Sequence, residues 1–249
     1  LMVQIIGVGS LNADGIKASY STPGASLWVS APGGEYGLDL DPEVNMEDTS
    51  LPYPRKPAIM TLDRSSCSLG SVSSSSERQR YNAFNDNASP HAENLNCNYT
   101  STMNGTSSAA PMVSGVIALM LEANPALTWR DVKHILATTA VQVDTGFSAT
   151  NVGGSISYVG WVTNSTGLKF HPWYGFGAVD ATAAVNAAIA YTTGSLGSVS
   201  QTSWNLTAIQ SVSMDDLSLY TQSITESGSG TIEHLKVAMK ISHSDPNHL

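Results

Sequence analysis

The sequence is poor in basic residues and in charge of either sign. Its 249 residues include 11 Lys and Arg against 20 Asp and Glu, giving a formal net charge of −9, and only 12% of all residues are charged. A protein that binds nucleic acid needs clustered Lys and Arg to neutralise phosphates, and no such cluster is present. We therefore exclude a nucleic-acid partner, whereas a peptide substrate is compatible with this charge.

Long apolar runs and cysteines are also scarce. No apolar run approaches the ~20 residues of a membrane span, so no membrane partner is expected. Cys67 and Cys97 are too few for a scaffold built on disulfides. They bracket a polar stretch without periodicity, where a bridge between them would stabilise the chain by about 3–3.5 kcal/mol. Two separate reduced thiols, or pairing with a cysteine elsewhere, are the alternatives.

Hydrophobic periodicity indicates an α/β fold. With 41% hydrophobic residues the chain can bury the core of one large or two modest domains. Short apolar runs at residues 3–8, 27–31 and 58–62 predict the strands of a parallel sheet. Thr128, followed three residues later by Asp131, predicts a capping box and a helix from Trp129 to about residue 140. Another helix is expected over residues 180–190.

A serine stands where a polar turn meets an apolar helix. Gly105 permits a sharp turn, and Pro111 is tolerated only in the first turn of a helix, so the helix must begin close to Ser107 or Ser108. Apolar residues surround this helix nearly completely, which predicts that it is buried. The N–H groups at its start are free and carry partial positive charge. Ser107 can therefore supply both a nucleophile and a backbone N–H for an oxyanion.

These residues resemble a known protease motif. Gly105, Thr106, Ser107, Ala109 and Pro111 match the pattern G-T-S-x-A-x-P of the subtilisin-like serine proteases. The G-x-S-x-G elbow of α/β-hydrolases does not fit, because Ala109 stands in place of its last glycine. A serine that merely caps a buried helix is the structural alternative.

Downstream segments narrow the resemblance to the kexin-like branch of that family and its secreted bacterial members. Residues 121–135 are similar to the helical segment that follows the serine, and residues 170–181 to the segment that closes the peptidase domain. The resemblance implies a partial, doubly wound parallel sheet of the subtilisin type over residues 1–191. Residues 192–203 are expected to be a linker. Residues 204–249 then resemble the first part of a P domain, an incomplete β-sandwich, with a strand from Leu235.

The function that this resemblance implies is a secreted bacterial serine endopeptidase with Ser107 as nucleophile and backbone oxyanion donor. In the family the catalytic Asp and His and the oxyanion Asn all precede the segment matched here, so the chain is expected to be a fragment that is inactive alone. The implied partners are a polypeptide substrate and a chaperone or propeptide. A non-catalytic binding or adhesion protein with a protease-like core is the second hypothesis.

The sequence allows two interpretations of a possible metal site. No cofactor is needed for the chemistry, but an acidic segment offers oxygen ligands to a structural Ca²⁺, and a solvated acidic loop is the simpler interpretation. Thr22 replaces the glutamate of a family calcium site, which weakens the inference of strict selectivity for basic residues. His243, Asp245 and His248 are interpreted as a solvated turn, and His171 as a packing residue. The acidic segment comprises Glu35, Asp39, Asp41, Glu43, Glu47 and Asp48.

Overall fold

Two parallel strands lie at the centre of the fold. The computed structural model describes residues 3–37, 56–69, 84, 90–147, 150–152, 156–158, 160–199, 233 and 235. Strand β1 (Gly7–Leu11) pairs in parallel with β2 (Leu27–Pro32), and Ser30 of β2 bridges in parallel to Ala178. The chain divides into two units, Ile6–Ser200 and Leu1–Ile5 with Gln201–Leu249, and all the elements below belong to the first.

The first strand begins later than predicted. The apolar run predicted a strand over residues 3–8, but Val3 and Gln4 form a turn and Ile5 is 49% exposed. The strand instead begins at Gly7 and continues through small residues, because the Gly7 backbone lies so close to the segment leading into β2 that a Cβ there would collide with the Ser26 carbonyl oxygen. The close approach of two backbone segments thus decides where β1 begins, whereas hydrophobicity alone predicts too early a start.

Two helices pack on this pair of strands, and a third packs on both helices. Helix α1 (Thr106–Ala123) contacts β1, β2 and α3 (Ala181–Ala190), and α2 (Trp129–Thr139) contacts β2 and α3. Asp180 caps α3 by accepting from Ala183 N–H, so both predicted downstream helices are confirmed within a residue. The buried core consists of Val29, Ala31, Ala109, Val113, Val116, Met120, Leu127, Val132, Ile135, Leu136, Ala184 and Ala188.

Helix α1 is buried on one face only, so the prediction of a fully buried helix is wrong. Val113, Val116 and Met120 face the core, whereas Leu119 is 50% exposed and Met112 is 37% exposed. By length and composition α1 could also cross a membrane, with a mean hydropathy of 1.3, contrary to the expectation that no segment approaches such a span. Its contacts with β1, β2 and α3 are those of a core helix.

The remaining strands form small antiparallel sheets. Strand β3 (Ile59–Leu62), expected in the parallel sheet, pairs antiparallel with β4 (Tyr99–Met103), a polar strand that hydrophobicity does not reveal. The other two pairs are β5 (Thr150–Val152) with β6 (Ile156–Tyr158), and β7 (Val162–Thr163) with β8 (Lys169–Phe170).

The structure joins Cys67 and Cys97 in a disulfide. Their Cα atoms are 4.9 Å apart and their sequence separation is 30 residues. The bridge links the segment after β3 to the segment before β4, which confirms the predicted pairing. The polar stretch that it closes lies mainly outside the described residues.

The segment after α3 folds back onto the unit Ile6–Ser200, to which it belongs. Residues 192–199 contain two hydrogen-bonded turns, and the guanidinium of Arg130 donates to the carbonyl of Gly197 at 2.8 Å and to that of Leu196 at 3.4 Å. Of the strand predicted from Leu235, only Leu235 is described, and it lies outside any strand and is 77% exposed. The rest of residues 204–249, including His243, Asp245 and His248, lies outside the described residues except Glu233.

Candidate active site

Ser107 lies in the first turn of α1 and is exposed. Gly105 occupies the N-cap position with φ 126° and ψ 162°, a conformation that glycine adopts without the penalty a side chain would meet. No side chain caps the helix, and the carbonyl of Gly105 accepts from Ser108 N–H at 2.9 Å. The helix therefore begins where the sequence predicted, with the serine hydroxyl at its accessible end.

The backbone N–H of Ser107 is available for a ligand. Among the residues that the structure describes, no acceptor is recorded for this N–H, as expected for the first turn of a helix. The helix dipole adds partial positive charge at this end. An oxygen that becomes negative next to the Ser107 hydroxyl would be stabilised here by a fixed donor.

A tyrosine hydroxyl connects the helix start to the parallel strands. The Tyr20 hydroxyl accepts from Gly105 N–H at 2.9 Å and lies 2.7 Å from the carbonyl oxygens of both Gly33 and Gly34, to which it donates. It is also 2.9 Å from Oγ of Ser10, a residue of β1 that is 1% exposed. Burial raises the pKa of Tyr20, so the hydroxyl keeps its proton at neutral pH.

Sequence reasoning gave Tyr20 no role. The residue lies in a polar turn and its contact with Gly105 spans 85 residues, so no local pattern marks it. The one sequence feature that points to a contact with the turn before Ser107 is the position of Tyr20 in the chain between β1 and β2.

Glu35 is buried and holds the turn next to Tyr20. Its two carboxylate oxygens accept from Ser19 N–H at 2.8 Å and from the Ser19 hydroxyl at 2.7 Å, and the residue is 2% exposed. For Glu35 the interpretation as part of a solvated acidic loop is therefore wrong. The other five carboxylates of the acidic segment lie outside the described residues, and within the described part no group of three metal-ligating side chains is found.

The described histidines lie in other environments. His91 accepts from Glu93 N–H through Nδ1, and the His134 ring faces Tyr191 at 6.1 Å. His171 is fully buried, which agrees with its interpretation as a packing residue. Within the part of the chain that the structure describes, no hydrogen bond links the Ser107 hydroxyl to a histidine. Among these described residues, the structure thus places the Ser107 hydroxyl beside its own free N–H, and no histidine is hydrogen-bonded to that hydroxyl.

His171 is held neutral by its surroundings. Its Nδ1 accepts from Trp173 N–H at 3.0 Å, which requires that Nδ1 carry no proton. Burial lowers the pKa of His171, and the nearby charge of Asp144 opposes this shift only in part. Four aromatic rings lie within 6 Å of its ring centroid, those of Phe147, Trp161, Trp173 and Tyr174.

An exposed serine beside an uncapped N–H at the start of a core helix is an arrangement typical of the serine hydrolases. The profile of the subtilase family matches residues 2–177, and the chain belongs to this family. It is 35% identical over 195 residues to the extracellular serine protease of Aeromonas sobria, covering 73% of this chain and 27% of that protein. It is 44% identical over 94 residues to human proprotein convertase subtilisin/kexin type 5, covering 38% of this chain and 4% of that one.

A solved structure confirms the subtilisin-like α/β fold. The Aeromonas sobria serine protease in complex with the chaperone ORF2 aligns with a TM-score of 0.55 and 32% identity, covering 74% of this chain and 29% of that chain. The chain therefore spans about three tenths or less of the length of these relatives.

Proposed function

We propose that this chain supplies the nucleophile of a serine endopeptidase that cleaves polypeptides through an acyl-enzyme on Ser107. The observation that carries the proposal is the exposed Ser107 hydroxyl beside its own uncapped N–H at the start of α1. Ser107 Oγ attacks the scissile carbonyl carbon and its proton passes to a base. The N–H of Ser107 donates to the oxygen that becomes negative. The C–N bond then breaks, the amine leaves with the proton, and water hydrolyses the ester.

The base and its orienting carboxylate are proposed to come from polypeptide outside this chain. Two observations support this. The three described histidines, His91, His134 and His171, all have other partners or surroundings. The Aeromonas sobria relative is also more than three times as long as the matched segment. We propose that this additional polypeptide packs against the exposed apolar face of α1, which includes Met112 and Leu119. On this proposal the 249 residues alone are inactive.

The finer assignments are proposals of the same kind. We infer that residues 1–191 belong to the peptidase domain, that residues 192–203 connect it to a second domain, and that residues 204–249 begin a P-type β-sandwich. Secretion from a bacterium and folding with a chaperone or propeptide are proposed because the Aeromonas sobria relative is extracellular and its solved complex contains a chaperone. The proposed chemistry uses no cofactor. A structural Ca²⁺ is proposed only for the acidic residues beyond Glu35.

A fluorophosphonate probe tests the function, because it reacts with a serine only when a base activates the hydroxyl. We expect the protein expressed with its native flanking sequence to be labelled on Ser107 and to cleave a peptide substrate. Ser107→Ala is expected to abolish both. Ser108→Ala is the matched control and should retain labelling, since Ser108 is only 7% exposed and its hydroxyl is buried.

Two results would contradict the proposal. Labelling that persists in Ser107→Ala would place the nucleophile elsewhere. No labelling of the protein with its native flanks would favour a non-catalytic binding or adhesion protein. Separately, hydrolysis by the purified 249 residues, lost in Ser107→Ala, would show that the base lies within this chain.

A further inference from the structure

The start of α1 must be fixed by groups outside the helix. Its N-cap is Gly105, which has no side chain to cap the helix and whose backbone is intrinsically permissive. Two groups hold the Gly105 N–H, namely the carbonyl of Gly33 at 3.1 Å and the hydroxyl of Tyr20 at 2.9 Å. Tyr20 is the side chain among them, and Ser107 follows Gly105 by only two residues.

We propose that Tyr20 is a positioning residue for the Ser107 nucleophile. Its hydroxyl ties the turn before Ser107 to the ends of both parallel strands, and so fixes where the Ser107 hydroxyl and N–H stand relative to the sheet. The proposal rests on the proposed function, because it assigns Tyr20 a role in the reaction of Ser107.

The hydroxyl of Tyr20, rather than its ring, makes this connection. A phenol has one proton to donate and two lone pairs that accept. The proton is shared between the carbonyls of Gly33 and Gly34, and the lone pairs face Gly105 N–H and the Ser10 hydroxyl. Every hydrogen-bonding position of the hydroxyl is therefore used, and phenylalanine at this position would lose all four contacts while keeping the ring.

The junction leaves little space for adjustment. A Cβ on Gly33 would overlap Ser10 Oγ and approach the Gly105 carbonyl oxygen to 2.7 Å. The backbone after β2 thus touches the backbone before α1 directly. In such a close contact, the loss of the hydroxyl changes the separation or the orientation of the two segments, because Gly105 N–H then keeps only its longer bond to Gly33.

A small displacement of the nucleophile affects the chemical step more than binding. Misplacing a reacting atom by about 1 Å can reduce the rate about a hundredfold. Substrate contacts made elsewhere are unchanged, so the loss appears in kcat rather than in KM. A merely stabilising role of Tyr20 would instead lower the unfolding midpoint and leave kcat unchanged in the folded fraction.

The experiment compares Tyr20→Phe with Tyr174→Phe in the protein with its native flanking sequence. Tyr174 is the matched control, since it is fully buried and its hydroxyl accepts from Lys17 N–H at 3.1 Å and donates to Asp144 at 2.8 Å, without contacting Gly105. We measure kcat and KM on a peptide substrate, the rate of fluorophosphonate labelling, the unfolding midpoint, and hydrogen exchange at the Gly105 amide.

Tyr20→Phe is expected to lower kcat and the labelling rate about tenfold to a hundredfold. KM should stay within about twofold, and exchange at Gly105 should accelerate. Tyr174→Phe should lower the unfolding midpoint and leave kcat unchanged. If Tyr20→Phe does not fold, Ser10→Ala is used, which removes one partner of the hydroxyl and is expected to lower kcat by a smaller factor.

The possible failures are distinguishable. A wild-type protein that is not labelled contradicts the proposed function, and with it the role of Tyr20. A wild-type protein that is labelled, together with an unchanged kcat in Tyr20→Phe or in its substitute Ser10→Ala, overturns the positioning role alone. The same holds if KM rises while kcat stays constant.

Discussion

Trp28 and Lys133 contact each other twice. The indole N–H of Trp28, on β2, donates to the carbonyl oxygen of Lys133 at 2.8 Å, and the Lys133 ammonium lies 3.9 Å from the centroid of the Trp28 indole ring. One contact uses the backbone of α2 and the other its side chain. Together they attach α2 to the parallel strands at a buried position, since Lys133 is only 5% exposed.

Lys133→Met separates these two contacts, because it keeps the backbone acceptor and the length of the side chain but removes the charge. Burial lowers the pKa of Lys133 from its usual 10.5. The unfolded chain therefore binds more protons than the folded chain at pH values between the folded pKa and 10.5, and stability rises with pH there. We expect the wild type to gain stability relative to Lys133→Met as pH approaches 10.5, measured by urea unfolding. A constant difference would contradict this.

Protonation of His171 should destabilise the fold. A proton on Nδ1 breaks the hydrogen bond from Trp173 N–H, and burial already lowers the pKa of His171 below 6.5. The unfolded chain therefore takes up the proton first, and wild-type stability falls as pH drops below about 6.5, by at most about 1.4 kcal/mol per pH unit. His171→Gln is expected to remove this component. Identical pH dependence of the two unfolding free energies would show that His171 does not titrate as described.

The capping box of α2 should contribute measurably to stability. Thr128 N–H and its hydroxyl donate to one carboxylate oxygen of Asp131 at 2.9 and 2.7 Å. Burial alone raises the pKa of Asp131, but these hydrogen bonds outweigh it and hold the pKa below its usual value. Thr128→Ala is expected to cost about 1 kcal/mol at pH 7. The cost should shrink as pH falls through 3.8, where Asp131 is protonated first in the unfolded chain.

Thr138→Ala is the matched control for this prediction. Thr138 lies on the same helix and donates to the carbonyls of His134 and Ile135 without capping an N–H group. Since alanine is the better helix former, this variant should lose little or no stability. Equal losses in the two variants by thermal or urea unfolding would refute the capping contribution.

The Cys67–Cys97 bridge should stabilise the chain by restricting the unfolded state. It closes a loop of 30 residues in sequence, for which the loop-entropy relation gives about 3.5 kcal/mol. We expect the Cys67→Ser, Cys97→Ser double variant to unfold at lower urea concentration by that amount. Reductant should lower wild-type stability to the same value and leave the double variant unchanged. A difference below about 1 kcal/mol would mean that the loop is already ordered without the bridge.

Local chemistry allowed part of this fold to be predicted. The start of α2 follows from Thr128 and Asp131 alone, and the start of α1 from Gly105 and Pro111, because capping and turn formation involve neighbouring residues. The disulfide was likewise predictable once an exported protein was assumed. The same local signals predict Ser107 as a nucleophile, and they indicate the family that the subtilase profile confirms.

Features that depend on distant contacts were not predictable from pattern. Strand β1 begins at Gly7, where its backbone packs against the segment that leads into β2. Strand β4 can be polar because it pairs with another short strand, β3, rather than with the central strands. The apolar residues around α1 predict a buried helix, yet Leu119 is half exposed. Hydrophobicity alone does not specify which segment of polypeptide packs against a given helix face. Tyr20 was missed for the same reason, because its partners belong to three separate segments.

The bond from Gly105 N–H to the Tyr20 hydroxyl also bears on the order of folding. It joins residues 85 positions apart, so a large loop must close before it forms, and such contacts are acquired late. Helix α1 can form from its own sequence earlier, but the turn that presents Ser107 takes its final geometry only when β1, β2 and α1 have assembled. A nascent or partly unfolded chain would therefore carry Ser107 before the turn around it has its final geometry, so any reaction that depends on this turn can begin only after the three elements have assembled.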